Sequence, residues 1–276
     1  MKRREVITLF GTAGFLGLSG FIGRNSSDTQ SNPKQDKLTN HDLSAMKTIG
    51  ILGGLGPQAT IDLEMRLHKA AQKLIPPMQN SGYPPVIVQY YRHPPVLLTE
   101  QNIPVSPWQP DPRMLVAAKQ LGSIADFLII PSNGAHLFQK EIEKAADRKV
   151  LSMIDITMEE VKKRKWKKVG ALGMMNAKVY TNRLKEAGIE FEIIDDALQG
   201  KLNKSIMKTM EGREDDEDRA TVMQAITVLR SKKVDGIIPG CTELPLLLGE
   251  NMNADDLLNP AQLLAEAAIK YSLKGI

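Results

Sequence analysis

The sequence predicts an α/β fold with two pseudo-symmetric lobes, each a parallel β-sheet flanked by helices. From Lys47 onward, short apolar runs alternate with longer amphipathic segments, which is the pattern of a parallel sheet covered by helices. This alternation also repeats. KTIGILG at 47–53 matches KKVGALG at 167–173 at an offset of 120 residues, and 126–132 matches 235–241 without gaps at an offset of 109. Two related lobes are therefore expected.

The predicted elements follow in chain order from hydrophobic periodicity and from boundary residues. Strands are expected where short apolar runs occur, at 48–52, 86–89, 127–130, 169–172, 190–194 and 236–238. Helices are expected where the segments are amphipathic, at 61–74, 112–121, 137–146, 158–165, 179–187, 220–229 and 261–273. Gly188 and Pro260 are typical of a helix end and a helix start. The acidic run at 211–218 indicates a solvated helix start, and Met153, Met174 and Met175 are expected in the core.

The N-terminal segment indicates export. Paired arginines at Arg3 and Arg4 precede an apolar, glycine-rich stretch, and this pattern over residues 1–24 is typical of a twin-arginine signal. A buried N-terminal helix is the alternative, which the glycines disfavour. Residues 25–46 are polar and rich in turn-forming residues, so they predict a linker. The protein is expected to be periplasmic, or membrane-anchored if the signal is not cleaved.

The remaining chain is expected to divide into the two lobes. Lobe one comprises 47–157 together with the C-terminal helix region 258–276, and lobe two comprises 158–257. Each lobe then contains one copy of both repeated segments.

Composition limits the class of protein. The chain of 276 residues is 42% hydrophobic and 25% charged, typical of a soluble globular protein with a sizeable core. The first 24 residues carry four basic residues and one acidic residue, whereas the rest nearly balances at 32 basic and 31 acidic residues. Aromatic residues make up only 5%. This distribution argues against a nucleic-acid partner.

The repeat pairs Ser132 with Cys241, and each of them follows a predicted strand. Ligands bind beyond the carboxyl ends of parallel strands, where loops and helix N-termini present backbone N–H groups. If the lobes face one another, both side chains flank one cleft. Cys241 is the only cysteine, so an internal disulfide and a thiolate-based metal cluster are excluded. A buried structural cysteine is the alternative to a chemical role.

Three motifs resemble those of the cofactor-independent aspartate/glutamate racemase family. They are KTIGILGGLGPQAT at 47–60, IIPSNGAH at 129–136 and GCTELP at 240–245, within a resemblance that covers nearly all of 47–276. The resemblance implies an active site between two lobes, no cofactor and a small acidic substrate. Members typically carry one cysteine per lobe, whereas this chain has Ser132 in the first motif.

The resemblance also implies residue roles. Cys241 is expected to be the principal acid/base, and Ser132 a weak second acid/base or a hydrogen-bond donor. The expected substrate-binding residues are Gly54, Arg92, Asn133, Gly134 and Thr242, with His136 and Glu243 in support. Helix N-capping is the structural alternative for Asn133 and Thr242. In the family, cations stand where this chain has Leu97 and Asn182, and Arg92 and Lys178 lie near those positions.

Other functional signals are weak. Residues 54–59 fit a loose dinucleotide-binding fingerprint, but the next predicted strand is followed by basic rather than acidic residues, in VIVQYYRH at 86–93. The histidines at 41, 68, 93 and 136 lack metal-ligand spacing, so no metal is expected. The leading hypothesis is therefore a racemase or epimerase of aspartate, glutamate or a related acidic amino acid. The alternatives are a single-cysteine decarboxylase or isomerase of the same superfamily, and an inactive exported binding protein. A homodimer is usual in such families.

Overall fold

The computed structural model describes residues 46–75 and 83–273, which belong to one compact unit. The predicted export signal at 1–24 and the linker at 25–46, apart from Met46, lie outside the described residues. Within the described ranges, no helix combines the length and the hydrophobicity needed to cross a membrane.

Strands and helices alternate along the chain, as predicted. The strands are β1 (Ile49–Gly53), β2 (Val86–Tyr90), β3 (Phe127–Ile129), β4 (Lys168–Leu172), β5 (Glu190–Glu192) and β6 (Gly236–Pro239). The α-helices are α1 (Pro57–Leu74), α2 (Pro112–Gly122), α3 (Gln139–Ala146), α4 (Met153–Lys163), α5 (Lys178–Glu186), α6 (Asp196–Met210), α7 (Asp216–Ser231), α8 (Leu244–Leu248) and α9 (Pro260–Leu273). Short 3-10 helices span Gly134–Phe138, Met174–Ala177 and Gly249–Asn253.

The strands form two parallel three-stranded sheets with the same topology. The first has the order β2-β1-β3 and the second the order β5-β4-β6, so the earliest strand of each sheet lies at its centre. Each outer third strand gains one further parallel bridge, Leu128 to Val150 in the first sheet and Ile237 to Leu257 in the second. The predicted α/β fold with two related parallel sheets is therefore confirmed.

An aspartate fixes the register of each sheet at the start of its third strand. Asp126 Oδ2 accepts a hydrogen bond of 2.6 Å from the backbone N–H of Thr48, just before β1. Asp235 Oδ2 accepts the equivalent bond of 2.9 Å from Lys168, at the start of β4. Because these four residues occupy matching positions in the repeat, the two sheets present their third strands, and the loops that follow, in the same way.

Helices cover both faces of the first sheet. One face packs against α1, α4 and α9, where Leu63 and Leu264 belong to a shared apolar cluster. The other face packs against α2 and α3, where Met114 and Ile142 are fully buried. Coverage on both sides explains why the strands of this sheet are apolar runs rather than alternating ones.

The second sheet is covered in the same manner. Leu202 of α6 and Ile226 of α7 pack on one face, and Tyr180 of α5 and Val161 of α4 pack on the other. Helix α4 contributes to the clusters of both sheets, since Met153 belongs to the first. The lobe boundary expected at residue 157 lies within this helix.

One long helix, α6, does not appear among the elements predicted from sequence. It begins after Asp195, whose side chain accepts a 2.9 Å hydrogen bond from the N–H of Leu198. Its buried residues Leu198, Leu202 and Ile206 recur every four positions, which is the signal of one helical face. Gly200 and the polar residues between them weaken that signal. Two core predictions also fail, because Met174 and Met175 are exposed, whereas Met153 is buried as expected.

Candidate active site

Loops that follow the strands of both sheets line a single cavity of about 730 Å³. It is lined by the turn after β1, by the loop after β2, and by the loops after β3 and β6 that contain Ser132 and Cys241. Its volume lies within the range of about 300–1,000 Å³ that is usual for small-molecule sites. The two residues paired by the sequence repeat therefore reach one cavity from different sheets.

The glycine-rich turn after β1 brings backbone close to the opposite loop. Gly54 has a φ of +77°, and a Cβ at this position would lie 2.9 Å from the Cα of Tyr90. Thr60 holds the turn, because its Oγ1 accepts a bond of 2.9 Å from the N–H of Gly54 and donates one of 3.0 Å to the carbonyl of Gly56. A Cβ on Gly56 would lie 2.6 Å from Oε1 of Glu243. The turn thus reaches the carboxylate that neighbours Cys241.

The thiol of Cys241 is paired with a carboxylate. Its Sγ donates a hydrogen bond to Oε2 of Glu243 at 2.9 Å, and the hydroxyl of Thr242 donates to the same oxygen at 3.2 Å. Burial, and then the charge of Glu243, raise the pKa of the Cys241 thiol well above its usual range. Burial also raises the pKa of Glu243, which is 1% exposed. At neutral pH the resting residue is therefore a thiol, and it has a proton acceptor within reach.

Ser132 lies in a different environment from Cys241. Its Oγ accepts a long hydrogen bond of 3.4 Å from the N–H of Ala135. His136 binds the backbone of Ser132 rather than its hydroxyl, because Nδ1 donates to the carbonyl at 2.8 Å. The other ring nitrogen, Nε2, accepts a 3.0 Å bond from the N–H of Met153. Burial lowers the pKa of His136. This histidine positions the Ser132 loop and is not among the residues that line the cavity.

Asn133 is oriented across the two lobes. Tyr180, on α5, donates a 2.6 Å hydrogen bond from its phenol to Oδ1 of Asn133. The Nδ2 of Asn133 is buried and has no hydrogen-bond partner among the described residues. The side chain does not cap the 3-10 helix that follows it, so the capping alternative does not describe its contacts. A buried amide donor that lines the cavity without a partner suits an anionic or carbonyl oxygen of a ligand.

The other expected substrate-binding residues also line the cavity. Arg92 has a φ of +64°, and its guanidinium lies 5.0 Å from the ring centroid of Tyr90. Gly134 borders open space, since a Cβ there would meet no atom within 4 Å. Thr242 is buried beside Glu243. His93 and Lys178 add two further polar groups to the lining.

Sequence reasoning missed much of the apolar lining. Met207 and Met210 come from α6, and only Met210 continues the four-residue spacing of Leu198, Leu202 and Ile206. Met174 and Met175, expected in the core, instead border the cavity. They stand where the chain leaves β4, beside three successive residues with left-handed backbone, Met175 to Ala177. No group of three or more potential metal ligands occurs in the part of the chain that the structure describes.

Comparison with known proteins gives consistent matches. A family model described as Asp/Glu/Hydantoin racemase matches residues 52–268. The broad specificity amino-acid racemase RacX of Bacillus subtilis (strain 168) is 25% identical over 228 residues, which cover 82% of this chain and 98% of RacX. The solved aspartate racemase of Picrophilus torridus is similar, with a TM-score of 0.67 and 25% identity over 82% of this chain and 94% of that chain. PH1733, an aspartate racemase homologue from Pyrococcus horikoshii OT3, has a TM-score of 0.62 and 24% identity over 82% of this chain and 99% of that chain.

Proposed function

Because the chain belongs to the Asp/Glu/Hydantoin racemase family and is an amino-acid racemase, we propose that Cys241 transfers the α-proton of its substrate without a cofactor. The observation that carries this proposal is that Cys241 and Ser132 line one cavity from matching positions of two related sheets. Racemisation requires proton transfer on opposite faces of one carbon, so two groups that reach a cavity from different sheets suit it.

The α-proton of an amino acid is very weakly acidic, so the reaction needs a good base and stabilisation of the developing negative charge. A thiol is a better acid/base than a hydroxyl near neutral pH. In the proposed sequence the Cys241 proton moves along its 2.9 Å hydrogen bond to Oε2 of Glu243, and the resulting thiolate takes the α-proton of the substrate. The Cys241 thiol is restored at this point, and Glu243 is left protonated.

Ser132 is proposed to deliver a proton to the opposite face. As its hydroxyl proton moves to the α-carbon, a cavity water gives its own proton to Oγ, so Ser132 ends the step as a neutral hydroxyl. The hydroxide that remains then takes the proton stored on Glu243, and the charges balance. Catalysis of the reverse direction follows the same path backwards. A serine relay is slower than a second thiol would be, because water and hydroxyl groups are weaker acids.

Asn133 is proposed to hold the α-carboxylate of the substrate. Its Nδ2 is the buried donor without a protein partner, and Tyr180 fixes the amide in this orientation. Gly54 and Gly134 also line the cavity, and the absence of a side chain at Gly134 leaves room for the ligand. Binding the carboxylate to a neutral amide also stabilises the charge that develops beside it in the transition state.

The acidic side chain implied by the resemblance to racemases of aspartate and glutamate would require a second anion-binding group. Among the lining residues, Arg92 and Lys178 carry the available cations, and both side chains are exposed. Amino acids with and without a side-chain carboxylate should therefore both be tested as substrates.

Hydrogen exchange at the α-carbon in deuterium oxide tests the proposed function. The purified full chain is incubated with both enantiomers of aspartate, glutamate, methionine, leucine and phenylalanine, and loss of the α-proton is followed by NMR. We expect exchange with at least one of them, and a decrease of about 10²- to 10⁴-fold in Cys241→Ala. Ser231→Ala, on the exposed surface of α7, serves as the matched control and should retain wild-type exchange. Absence of exchange with all ten compounds would refute the proposal.

The N-terminal pattern supports a further proposal about location. We propose that residues 1–24 export the chain through the twin-arginine route, which carries folded proteins, as the Arg3 and Arg4 pair and the apolar stretch after it suggest. The site would then operate in the periplasm, either free or tethered by this segment.

A further inference from the structure

The lining outside the loops 54–57, 131–134 and 240–243 is largely apolar. This region, called the side-chain subsite below, contains proline, valine, leucine, tryptophan and methionine side chains. The loops hold the groups that suit the α-carbon and its carboxylate. The side-chain subsite is therefore the part of the cavity that remains for the substrate side chain, and its chemistry indicates the class of substrate.

A proline-rich loop at 91–111 forms one part of the subsite. It carries Pro95, Val96 and Trp108 into the lining. Two antiparallel bridges hold its two arms together, from Val96 to Pro110 and from Leu98 to Pro104. Backbone hydrogen bonds therefore hold this loop in a defined conformation. The loop contributes its apolar side chains to the subsite.

Four methionines form another part. Met174 and Met175 follow β4, and Met207 and Met210 lie on the last turns of α6. Three of these methionines are exposed, with accessible fractions of 37% for Met174, 44% for Met175 and 46% for Met207. Exposed apolar groups gathered around a cavity indicate a surface that a ligand covers, and thioether side chains adapt to apolar ligands of different shapes.

The polar groups near this subsite do not form a carboxylate clamp. Arg92 is exposed and stacks over the ring of Tyr90 at 5.0 Å, and Lys178 is also exposed. His93 is exposed and packs against Tyr91, with ring centroids 5.3 Å apart. A substrate carboxylate that leaves water needs partners that are themselves held and shielded, because an exposed ion pair is screened and contributes little.

From this arrangement we infer that the side-chain subsite binds a large, uncharged, apolar amino-acid side chain rather than the carboxylate of aspartate or glutamate. This inference rests on the proposed function, because it assigns the substrate class of the same cavity. A side chain such as that of methionine, leucine or phenylalanine covers the exposed thioethers and the Trp108 ring. Burial of these surfaces favours binding in proportion to the apolar area removed from water.

Substrate comparison tests the inference. Values of kcat/KM for racemisation are measured with the full chain for L-methionine, L-leucine and L-phenylalanine and for L-aspartate and L-glutamate. Thermal stabilisation by each amino acid is measured in parallel and reports binding without turnover. We expect kcat/KM to be about tenfold or more higher for the apolar group, because each pocket contact of this kind contributes about 10- to 200-fold. The shift in Tm should follow the same order.

A charge placed in the subsite gives a second readout. Met207→Lys introduces a cation among the methionines, so it should lower kcat/KM for the apolar substrates by about tenfold and raise it for the acidic ones. Met65→Lys is the matched control, since Met65 is an exposed helical methionine, 51% accessible, that does not line the cavity. This control should leave the order of substrates unchanged.

The outcomes separate the inference from the proposed function. Equal or higher kcat/KM for aspartate or glutamate overturns the inference and leaves the proposed function intact. Stabilisation by apolar amino acids without any turnover supports the inference about the subsite and refutes the proposed reaction. Absence of both binding and turnover across the panel overturns both.

Discussion

Cys241 Sγ lies 2.9 Å from Oε2 of Glu243, so the only thiol of the chain is hydrogen-bonded to a buried carboxylate two residues away. The loop between β6 and α8 places both groups on the cavity, and the Gly56 turn approaches the same carboxylate from the other sheet. Burial, and then the charge of Glu243, raise the pKa of the thiol, and the carboxylate also supplies an acceptor for its proton. The predictions about the reaction follow from it.

Glu243→Gln should lower the pKa of Cys241. The substitution removes the negative charge beside the sulfur while keeping a side chain of similar size, so the thiolate should form at lower pH. Because Cys241 is the only cysteine, ultraviolet absorbance of the thiolate and the alkylation rate against pH both report this one group. Glu250→Gln, at an exposed position, is the control. An unchanged or higher thiol pKa in Glu243→Gln would show that the carboxylate does not act on the sulfur.

The same variant should lose activity although its thiolate forms more readily. Glutamine cannot accept and return a proton, so kcat should fall by about 10²- to 10⁴-fold. Wild-type kcat/KM should rise with pH as Glu243 loses its proton, because only the carboxylate accepts the Cys241 proton, and burial raises the pKa of this carboxyl above its usual range. The variant lacks this carboxyl, so its rising limb should follow the deprotonation of Cys241 instead. Activity at the wild-type level in Glu243→Gln would show that another group accepts and returns the Cys241 proton.

Gly56→Ala should impair catalysis more than stability. The backbone of Gly56 has a φ of −143°, which alanine adopts freely, but the added methyl would lie 2.6 Å from Oε1 of Glu243. The carboxylate must then move and its contact with Cys241 must lengthen, so kcat should fall about tenfold to a hundredfold. Gly200→Ala, where a Cβ meets no atom within 4 Å, is the control and should raise stability by about 0.5–1 kcal/mol. Equal kcat values in Gly56→Ala and Gly200→Ala would contradict the close approach of Gly56 to the Glu243 carboxylate.

Stability should decrease at mildly acidic pH because of His136. Burial lowers the pKa of the native residue, so the unfolded chain binds the proton first as the pH falls below about 6.5. The free energy of unfolding should therefore fall between about pH 7 and pH 5. Urea unfolding of His136→Gln should show a flatter pH dependence and a lower stability at neutral pH, by about 1–3 kcal/mol. His68→Gln, on the exposed side of α1, should keep the wild-type slope. If His136→Gln and His68→Gln showed the same pH dependence of the free energy of unfolding, His136 would not be the source of that dependence.

Export should depend on the arginine pair. In a bacterium that has the twin-arginine pathway, the chain with Arg3→Lys and Arg4→Lys together should remain in the cytoplasm, whereas Arg24→Lys should be exported like the wild type. Cell fractionation gives the distribution. Export of the double variant at the wild-type level would contradict the proposed signal.

The sequence repeat was sufficient to predict the fold and the pairing of Ser132 with Cys241. Asp126 and Asp235 stand at the starts of matching strands in the sequence, and in the structure each accepts a bond from a residue at or just before the start of the central strand of its sheet. This local rule makes the ends of the third strands equivalent. Strand ends collect ligand-binding loops, so the candidate site followed from the same pattern.

The parts that could not be predicted depend on tertiary contacts. The bond from Tyr180 to Asn133 joins residues 47 positions apart, and no local pattern marks it. Helix α6 was missed because polar residues and Gly200 mask the spacing of Leu198, Leu202 and Ile206. Because α6 was not predicted, its residue Met207 was not expected to line the cavity either. The character of the side-chain subsite therefore became visible only when the methionines and the proline-rich loop met in space.

Restoring a thiol at position 132 tests the central claim most directly, namely that Ser132 and Cys241 act on one carbon from two sides. In Ser132→Cys, the rate of interconversion of the enantiomers of the preferred substrate should rise about tenfold or more, because a thiol is the better acid/base. The increase should vanish when Cys241→Ala is added. An unchanged or lower rate in a folded Ser132→Cys protein, or a gain that survives the loss of Cys241, would contradict the claim.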